Sequence, residues 1–249
     1  MDFQDKIVFV SGTNRGIGKA WVEGLLKRNV KKIYASARTA DLVPDFRDKR
    51  VIPIPLDITN VEQVQAATQS APDTNILINN AGAATYSSIL DGNLDDVHHD
   101  MNINYYGTLN MMRAFIPVLE QQTAPAVVNI VSIVAFANFP FVGGYCASKA
   151  ALFSASQGAR IELAAKGIAV HTINPGPIDT DMAKAVDLDK PSPQDAVASA
   201  LDALGHDELD IFPDAIGRAM FEMWRKNYHD LEHAVADMFN GRDVQWVQN

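Results

Sequence analysis

One stretch near the N-terminus constrains the fold more than any other. Lys6 to Val10 reads Lys-Ile-Val-Phe-Val, and the chain then passes straight through Ser11-Gly12-Thr13-Asn14-Arg15-Gly16-Ile17-Gly18 into a helical pattern from Lys19 to Lys27. A short apolar, β-rich run of this kind suits a strand covered on both faces. A strand, a glycine-rich turn and a helix in succession aim backbone N–H groups and the positive end of a helix dipole at one point, where a phosphate can bind. Gly12 allows the sharp turn, Gly16 a close approach of backbone to a pyrophosphate, and Gly18 tight packing of helix on strand. A plain tight loop is the alternative, but the position directly after the first strand favours a dinucleotide.

The pattern then repeats. Lys32 to Ala37, Val51 to Leu56, Ile76 to Ile78, Ala126 to Val131 and Ile168 to Asn174 read as further strands. Helical patterns separate them at Val61 to Gln69, Asp95 to Gln122 and Tyr145 to Lys166. Such alternation predicts a parallel sheet with helices on both faces, and ligands bind beyond the carboxyl ends of its strands. The glycine turn, Asp57, Asn80, Ser132 and Pro175 all fall at such ends. Within the long Asp95 to Gln122 pattern, Asn104 and Gly107 are poor interior helix residues, so a distortion is expected there.

The tip of the second strand bears on the ligand. An acidic residue there would hydrogen-bond the adenosine ribose of NAD and repel the extra phosphate of NADP. This chain has Ala37 and then Arg38, with Arg15 in the glycine turn. Two guanidiniums facing one site suit a 2′-phosphate, so NADP(H) is the expected cofactor; two solvated surface arginines are the plain alternative.

Tyr145 and Lys149, four residues apart, lie on one face of a helix. An ammonium near the phenol favours its ionised form and is expected to lower its pKa, so that it exchanges a proton with a substrate oxygen. Alone the spacing is common. Ser132, thirteen residues earlier, needs a loop to reach it.

Composition narrows the partners. The 30 acidic residues against 21 basic ones give a net charge of -9, spread rather than clustered. That argues against nucleic acid or an anionic membrane and leaves a small-molecule substrate. The single cysteine, Cys146, excludes an intramolecular disulfide and a cysteine metal cluster. The N-terminus lacks the basic start and apolar run of a secretory signal, and a cytoplasmic location is expected. The uncharged stretch from Gln121 to Ser148 is interrupted by prolines, glycines and asparagines, which disfavours a membrane span.

Taken together, Gly12-x3-Gly16-x-Gly18, Asn79-Asn80-Ala81-Gly82, Asn104, Ser132, Tyr145-x3-Lys149 and Pro175-Gly176 make the chain resemble the short-chain dehydrogenase/reductase family over Lys6 to Met182. The resemblance implies an α/β fold, a Rossmann-type doubly wound parallel sheet in a single domain. Its expected limits are residues 1–249: a cofactor-binding core over 6–180, a substrate lid over about 181–205 and a C-terminal helical extension over about 213–240. It implies an oxidoreductase that interconverts a ketone or aldehyde and an alcohol, with Tyr145 as general acid or base. Ser132 would hydrogen-bond the carbonyl oxygen, Lys149 would hold the nicotinamide ribose, and Asn104 would position a water in a proton relay. On the cofactor side it implies Gly12, Asn14, Arg15, Gly16, Ile17, Gly18, Arg38, Ala81, Gly82, Tyr145, Lys149, Pro175 and Gly176. Asp57 and Ile58 would meet the adenine, Asn80 the adenosine-side ribose, and Ile178 and Thr180 the nicotinamide end. Arg15 and Arg38 match both basic positions of the family's NADP users.

Two departures stand out. Ser11 replaces the usual threonine, and the chain lacks the glycine-rich final strand of the family's tetramers. In its place Asp210 to Asp214 leads into a helical segment from Ala215 to Phe239, which makes a homodimer through the Asp95 and Tyr145 helices more plausible than a tetramer. The substrate wall is expected from Ile133, Phe136, Phe141 and Met182, with Ala135, Phe139 and Val142 beside them; these aromatics suit an apolar ketone or alcohol, or ordinary core. No metal is expected. His229-Asp230-Leu231-Glu232-His233 spells a zinc-protease pattern, but on a charged terminal helix without a third ligand. A steroid-, sugar- or acyl-specific dehydrogenase or epimerase, and a non-catalytic NADP(H) sensor on the same fold, stay open as alternatives.

Overall fold

The five residues of the first strand are all buried, and their side chains feed two different cores. In the computed structural model, which describes residues 1–242 and 244, Val8 and Val10 join one apolar layer while Ile7 and Phe9 join another. Successive strand residues point to opposite faces, so a strand apolar at every position needs helices on both.

The elements run β1 (Ile7–Ser11), α1 (Gly16–Leu26), β2 (Lys32–Ala37), β3 (Val51–Pro55), α2 (Val61–Ser70), β4 (Ile76–Asn79), α3 (Leu94–Met101), α4 (Thr108–Leu119), β5 (Ala126–Ile130), α5 (Gly143–Ala164), β6 (Ala169–Ile173), α6 (Pro193–Gly205), β7 (Asp210–Ile211), α7 (Ala215–Lys226) and α8 (Tyr228–Phe239). The strands form one seven-stranded sheet in the order β3-β2-β1-β4-β5-β6-β7, every pair parallel. The order reverses beside β1, where the loops after β1 and β4 part to opposite sides; this is where such a sheet opens a crevice. Trp21 and Leu25 of α1 pack with Val197, Ala200, Leu201 and Leu204 of α6 on one face. Val64 of α2 packs with Met111, Phe115 and Leu119 of α4 on the other. No helix among the described residues is long and apolar enough to cross a membrane.

Four expectations are refined. The distortion foreseen at Asn104 and Gly107 is a π-helical segment, Asn102–Gly107, between α3 and α4. The lid expected over 181–205 stops short: its second half is α6, buried on α1 because its apolar residues recur at helical spacing. The segment leading into the C-terminal helix contains a seventh strand, β7, too short at two residues to show alternation. The C-terminal helical segment is itself broken at Asn227, whose extended backbone separates α7 from α8 and whose side chain accepts from the His229 amide.

The third apolar cluster lies outside the two layers. Ile133, Phe139, Val142 and Cys146 meet Met220 of α7 and Leu231 and Val235 of α8. The C-terminal helices thus cover the end of the sheet where β5 and β6 finish.

Candidate active site

The tips of β1 and β4 are tied together first. Ser11 Oγ accepts from the amides of Asn80 and Ala81, both at 3.0 Å. Asn80 Nδ2 donates to the carbonyls of Ser11 at 2.9 Å and Gly12 at 3.0 Å. Asn80 thereby holds the glycine turn, and only its Oδ1 is left for the ribose contact the resemblance implies. A Cβ on Gly18 would lie 1.9 Å from the Gly12 carbonyl oxygen, and one on Gly12, at φ +72, would lie 2.7 Å from Ala81 Cα. Neither position tolerates a side chain. No side chain caps the N-terminus of α1 and its first turn holds no acid, so its amides stay available for an anion.

Around this turn the expected contacts sort differently. Arg15 Nη1 pairs with Asp181 Oδ2 at 2.5 Å, while Arg38 is exposed with no ion pair among the described residues. Asn14 is exposed, and Thr180 faces Gly16 across a gap of one Cβ. Asp57 caps its own turn, accepting from the Thr59 amide and hydroxyl. The Ile58 side chain is buried in the α2/α4 layer against Gly107.

Tyr145 stands in the first turn of α5 and Lys149 one turn on, its Nζ 5.7 Å from the tyrosine ring centre. Lys149 is buried and donates to the Ile130 carbonyl at the end of β5 at 2.7 Å. Ser132 follows β5 directly; its hydroxyl donates to the Pro175 carbonyl at 3.2 Å and lies within hydrogen-bonding reach of the Tyr145 hydroxyl. The loop between β5 and α5 folds back through two 3-10 turns, which brings Ser132 to Tyr145. Asn104 is fully buried. Its Oδ1 accepts from the Ala83 amide, and its Nδ2 donates to the Ala83 carbonyl and Ser148 Oγ. With no free amide hydrogen, its side chain positions the loop after β4 and cannot itself donate to a relay water.

The electrostatics correct one expectation. Burial pushes the Tyr145 phenol well above its ordinary range, and the hydrogen bond with Ser132 offsets only part of that rise. Burial also pushes Lys149 down to about 8, with the Asp100 carboxylate pulling the other way. Without a bound ligand, the desolvation of Tyr145 outweighs any help from the neighbouring ammonium. Cys146 is held at about 11 by burial and takes a hydrogen bond from the Phe139 amide, which marks it as packing.

Ser132 and Tyr145 open onto a cavity of 160 Å³. Ile133, Phe141 and Met182 line it as expected, together with Gly176, Ile178 and Thr180. Phe136 does not: it sits in an aromatic cluster with Phe153, Phe212, Phe221 and Trp224, because β7 and α7 bring three of those rings beneath the loop. Sequence reasoning missed several wall residues, among them Tyr86, Met220 and Met238. It also missed two buried carboxylates. Asp100 accepts from Thr85, and Asp214 accepts from the amides of Gly176 and Gly217, both at 2.7 Å. Asp214 was legible as an N-cap just ahead of an apolar-periodic segment. His229 and Glu232 form an exposed pair, and no cluster of three metal-binding side chains exists among the described residues.

Comparison with known proteins agrees with this geometry. The short chain dehydrogenase family profile matches residues 6–191. An uncharacterized oxidoreductase of Staphylococcus aureus (strain N315) is 33% identical over 211 residues, covering 80% of this chain and 91% of that protein. The mouse dehydrogenase/reductase SDR family member 7 is 29% identical over 197 residues, covering 74% of this chain and 58% of that one. A crystal structure of a short chain dehydrogenase from Burkholderia cenocepacia J2315 in complex with NADP superposes with a TM-score of 0.90 at 36% identity, covering 94% of this chain and 99% of that one. From the glycine turn to the Tyr145–Lys149 pair, and over most of its length, the chain belongs to the short-chain dehydrogenase family of oxidoreductases.

Proposed function

We propose that the protein reduces a ketone or aldehyde to an alcohol with NADPH, and runs the reverse oxidation with NADP+. One observation carries the reading: the hydroxyls of Ser132 and Tyr145 open together onto an apolar cavity that also reaches Ile17, Gly176 and Thr180 at the glycine turn and the β6 end.

The residues present fit the cofactor. The uncapped N-terminus of α1 receives a pyrophosphate, and the glycines at 12, 16 and 18 leave room for it. Arg38, without an ion pair among the described residues, and Arg15, held by Asp181, supply cations for a 2′-phosphate; the NADP found in the Burkholderia relative supports that preference. When bound, NADPH supplies the hydride to the carbonyl carbon.

The protein supplies the proton. Because burial keeps Tyr145 protonated well above neutral pH, it acts as an acid in reduction. Ser132 orients the carbonyl oxygen, Tyr145 gives it a proton, and the Lys149 ammonium stabilises the phenolate left behind. The Asn104 side chain is committed, so a relay water would share its backbone carbonyl in the π segment, which also accepts from the Thr108 hydroxyl at 2.9 Å. A steroid-, sugar- or acyl-specific dehydrogenase would share these steps and differ only in the cavity wall.

The test is oxidation of NADPH, with NADH in parallel, against a panel of aliphatic, aromatic and keto-ester carbonyls. Turnover favouring NADPH supports the reading. NADPH binding without turnover of any carbonyl would leave the protein a sensor, and equal use of NADH would demote both arginines to surface charges.

A further inference from the structure

The cavity wall carries more information than its volume. Among the described residues, no Asp, Glu, Lys, Arg or His lines it. Its polar side chains are four, and three donate to backbone carbonyls: the Tyr86 hydroxyl to Met182 at 2.6 Å, Thr180 Oγ1 to Ile178 at 3.3 Å and Ser132 Oγ to Pro175 at 3.2 Å. Ser132 and Tyr145 are the groups that meet a single carbonyl oxygen. A carboxylate, a phosphate or a row of sugar hydroxyls placed here would lose its water and find no partner. An unpaired hydroxyl costs roughly 1–3 kcal/mol on protein-derived scales, and an ionised group much more. A site built this way rejects each extra polar group by about tenfold or more.

Size and shape restrict the occupant further. The cavity measures 160 Å³, and the side of it lined by Ile17, Gly176, Ile178 and Thr180 is the part assigned above to the coenzyme, so a substrate takes only the remainder. Three methionines line it: Met182 from the segment after β6, Met220 from α7 and Met238 from α8. Methionine is unbranched and adapts its shape to what it touches. The Tyr86–Met182 bond joins the loop after β4 to the segment after β6 at the cavity mouth, and Tyr86 stacks on Phe141 there.

We propose, resting on the reductase reading above, that the substrate is an uncharged apolar ketone or aldehyde, and that Met238 of α8 sets the upper limit on its size. In the reduction the carbonyl carbon receives a hydride from NADPH, the carbonyl oxygen receives the Tyr145 proton, and NADP+ and a secondary or primary alcohol leave.

The test uses three probes of one chemical series: acetophenone, its 4-carboxylate and the two-ring 2-acetonaphthone, with an aldohexose as a polar control. Turnover is followed with NADPH, and binding by saturation-transfer NMR with and without NADP+. The expected result is a kcat/KM for acetophenone at least about 100-fold above those for the carboxylate and the sugar. Met238→Ala should raise the ratio of 2-acetonaphthone to acetophenone turnover at least about tenfold; Met220→Ala serves as a second variant should that protein not fold. Comparable turnover of the carboxylate or the sugar would overturn the substrate class while leaving the reductase reading intact. Saturable binding of acetophenone without reduction of any probe would do the reverse. Acetophenone that neither binds nor reacts overturns the proposal, and an unchanged size ratio in both methionine variants overturns the role of α8.

Discussion

Asp100 accepts from both the backbone amide of Thr85, at 3.1 Å, and its hydroxyl, at 2.7 Å, although the carboxylate is completely buried. That pairing anchors the loop after β4 to α3, one turn before the π segment. Burial raises the Asp100 pKa and the two Thr85 bonds resist the rise. Its charge also lifts Lys149 against the desolvation that holds that lysine at about 8.

A pH profile follows from this. In the reduction direction kcat/KM reports the free enzyme, and it should be flat through neutrality and fall with one apparent pKa near 8, as Lys149 loses its proton. Asp100→Asn removes the charge that raises the lysine, so the falling limb should move to lower pH. A limb that stays in place would show that Lys149 does not control it.

Lys149 also carries a stability cost. Its folded pKa, about 8, lies below the ordinary 10.5, so between those values the unfolded chain binds more protons. Stability from this group therefore rises with pH across that window, and its penalty is fully present below it. Lys149→Met should raise the unfolding free energy at neutral pH by about 1–2 kcal/mol, net of the lost bond to Ile130, while abolishing turnover. Denaturant melts at two pH values check both sign and window.

Tyr145→Phe removes the proton donor and leaves the ring. Turnover should fall by about 10²–10⁴, whereas NADPH affinity measured by fluorescence titration should change little. Surviving turnover would mean another acid serves the carbonyl.

Asp214 is nearly buried and bridges the start of α7 to Gly176. Asp214→Ala loses an N-cap and a charge-assisted bond, a cost of about 2–4 kcal/mol. For a chain of this size the melting temperature should drop by several degrees, and KM for the cofactor should rise as the Pro175–Gly176 loop loosens.

Arg38→Ala should lower kcat/KM for NADPH by about 10–100-fold with NADH little affected, the worth of a charge-assisted bond to a 2′-phosphate. Asp181→Asn, which releases Arg15, should shift the balance toward NADPH. Parallel titrations with both coenzymes decide.

Six of the seven strands, their parallel sense and the places of Gly12, Ser132, Tyr145 and Lys149 along the chain were legible because each depends on local sequence: an apolar run, a glycine at a turn, a four-residue helical spacing. Even the π segment was foreshadowed by Asn104 and Gly107. What stayed hidden depends on contacts between distant segments. Phe136 reads as pocket wall until β7 and α7 bring Phe212, Phe221 and Trp224 to it. Residues 193–205 follow a lid-like loop in sequence, yet their apolar stripe finds α1. The direction of the Tyr145 shift was misread because spacing reveals the nearby ammonium and not the loss of water.

Ile216 and Met220 of α7 and Met238 of α8 form one side of the cavity wall. Every strand, and every residue argued to act on the carbonyl or the coenzyme, lies ahead of them in the chain. A nascent protein can therefore complete its whole sheet before this side of the wall is made. Exchange of this tail between relatives would change selectivity without cutting through the sheet, which leaves chemistry and substrate choice free to diverge at different rates.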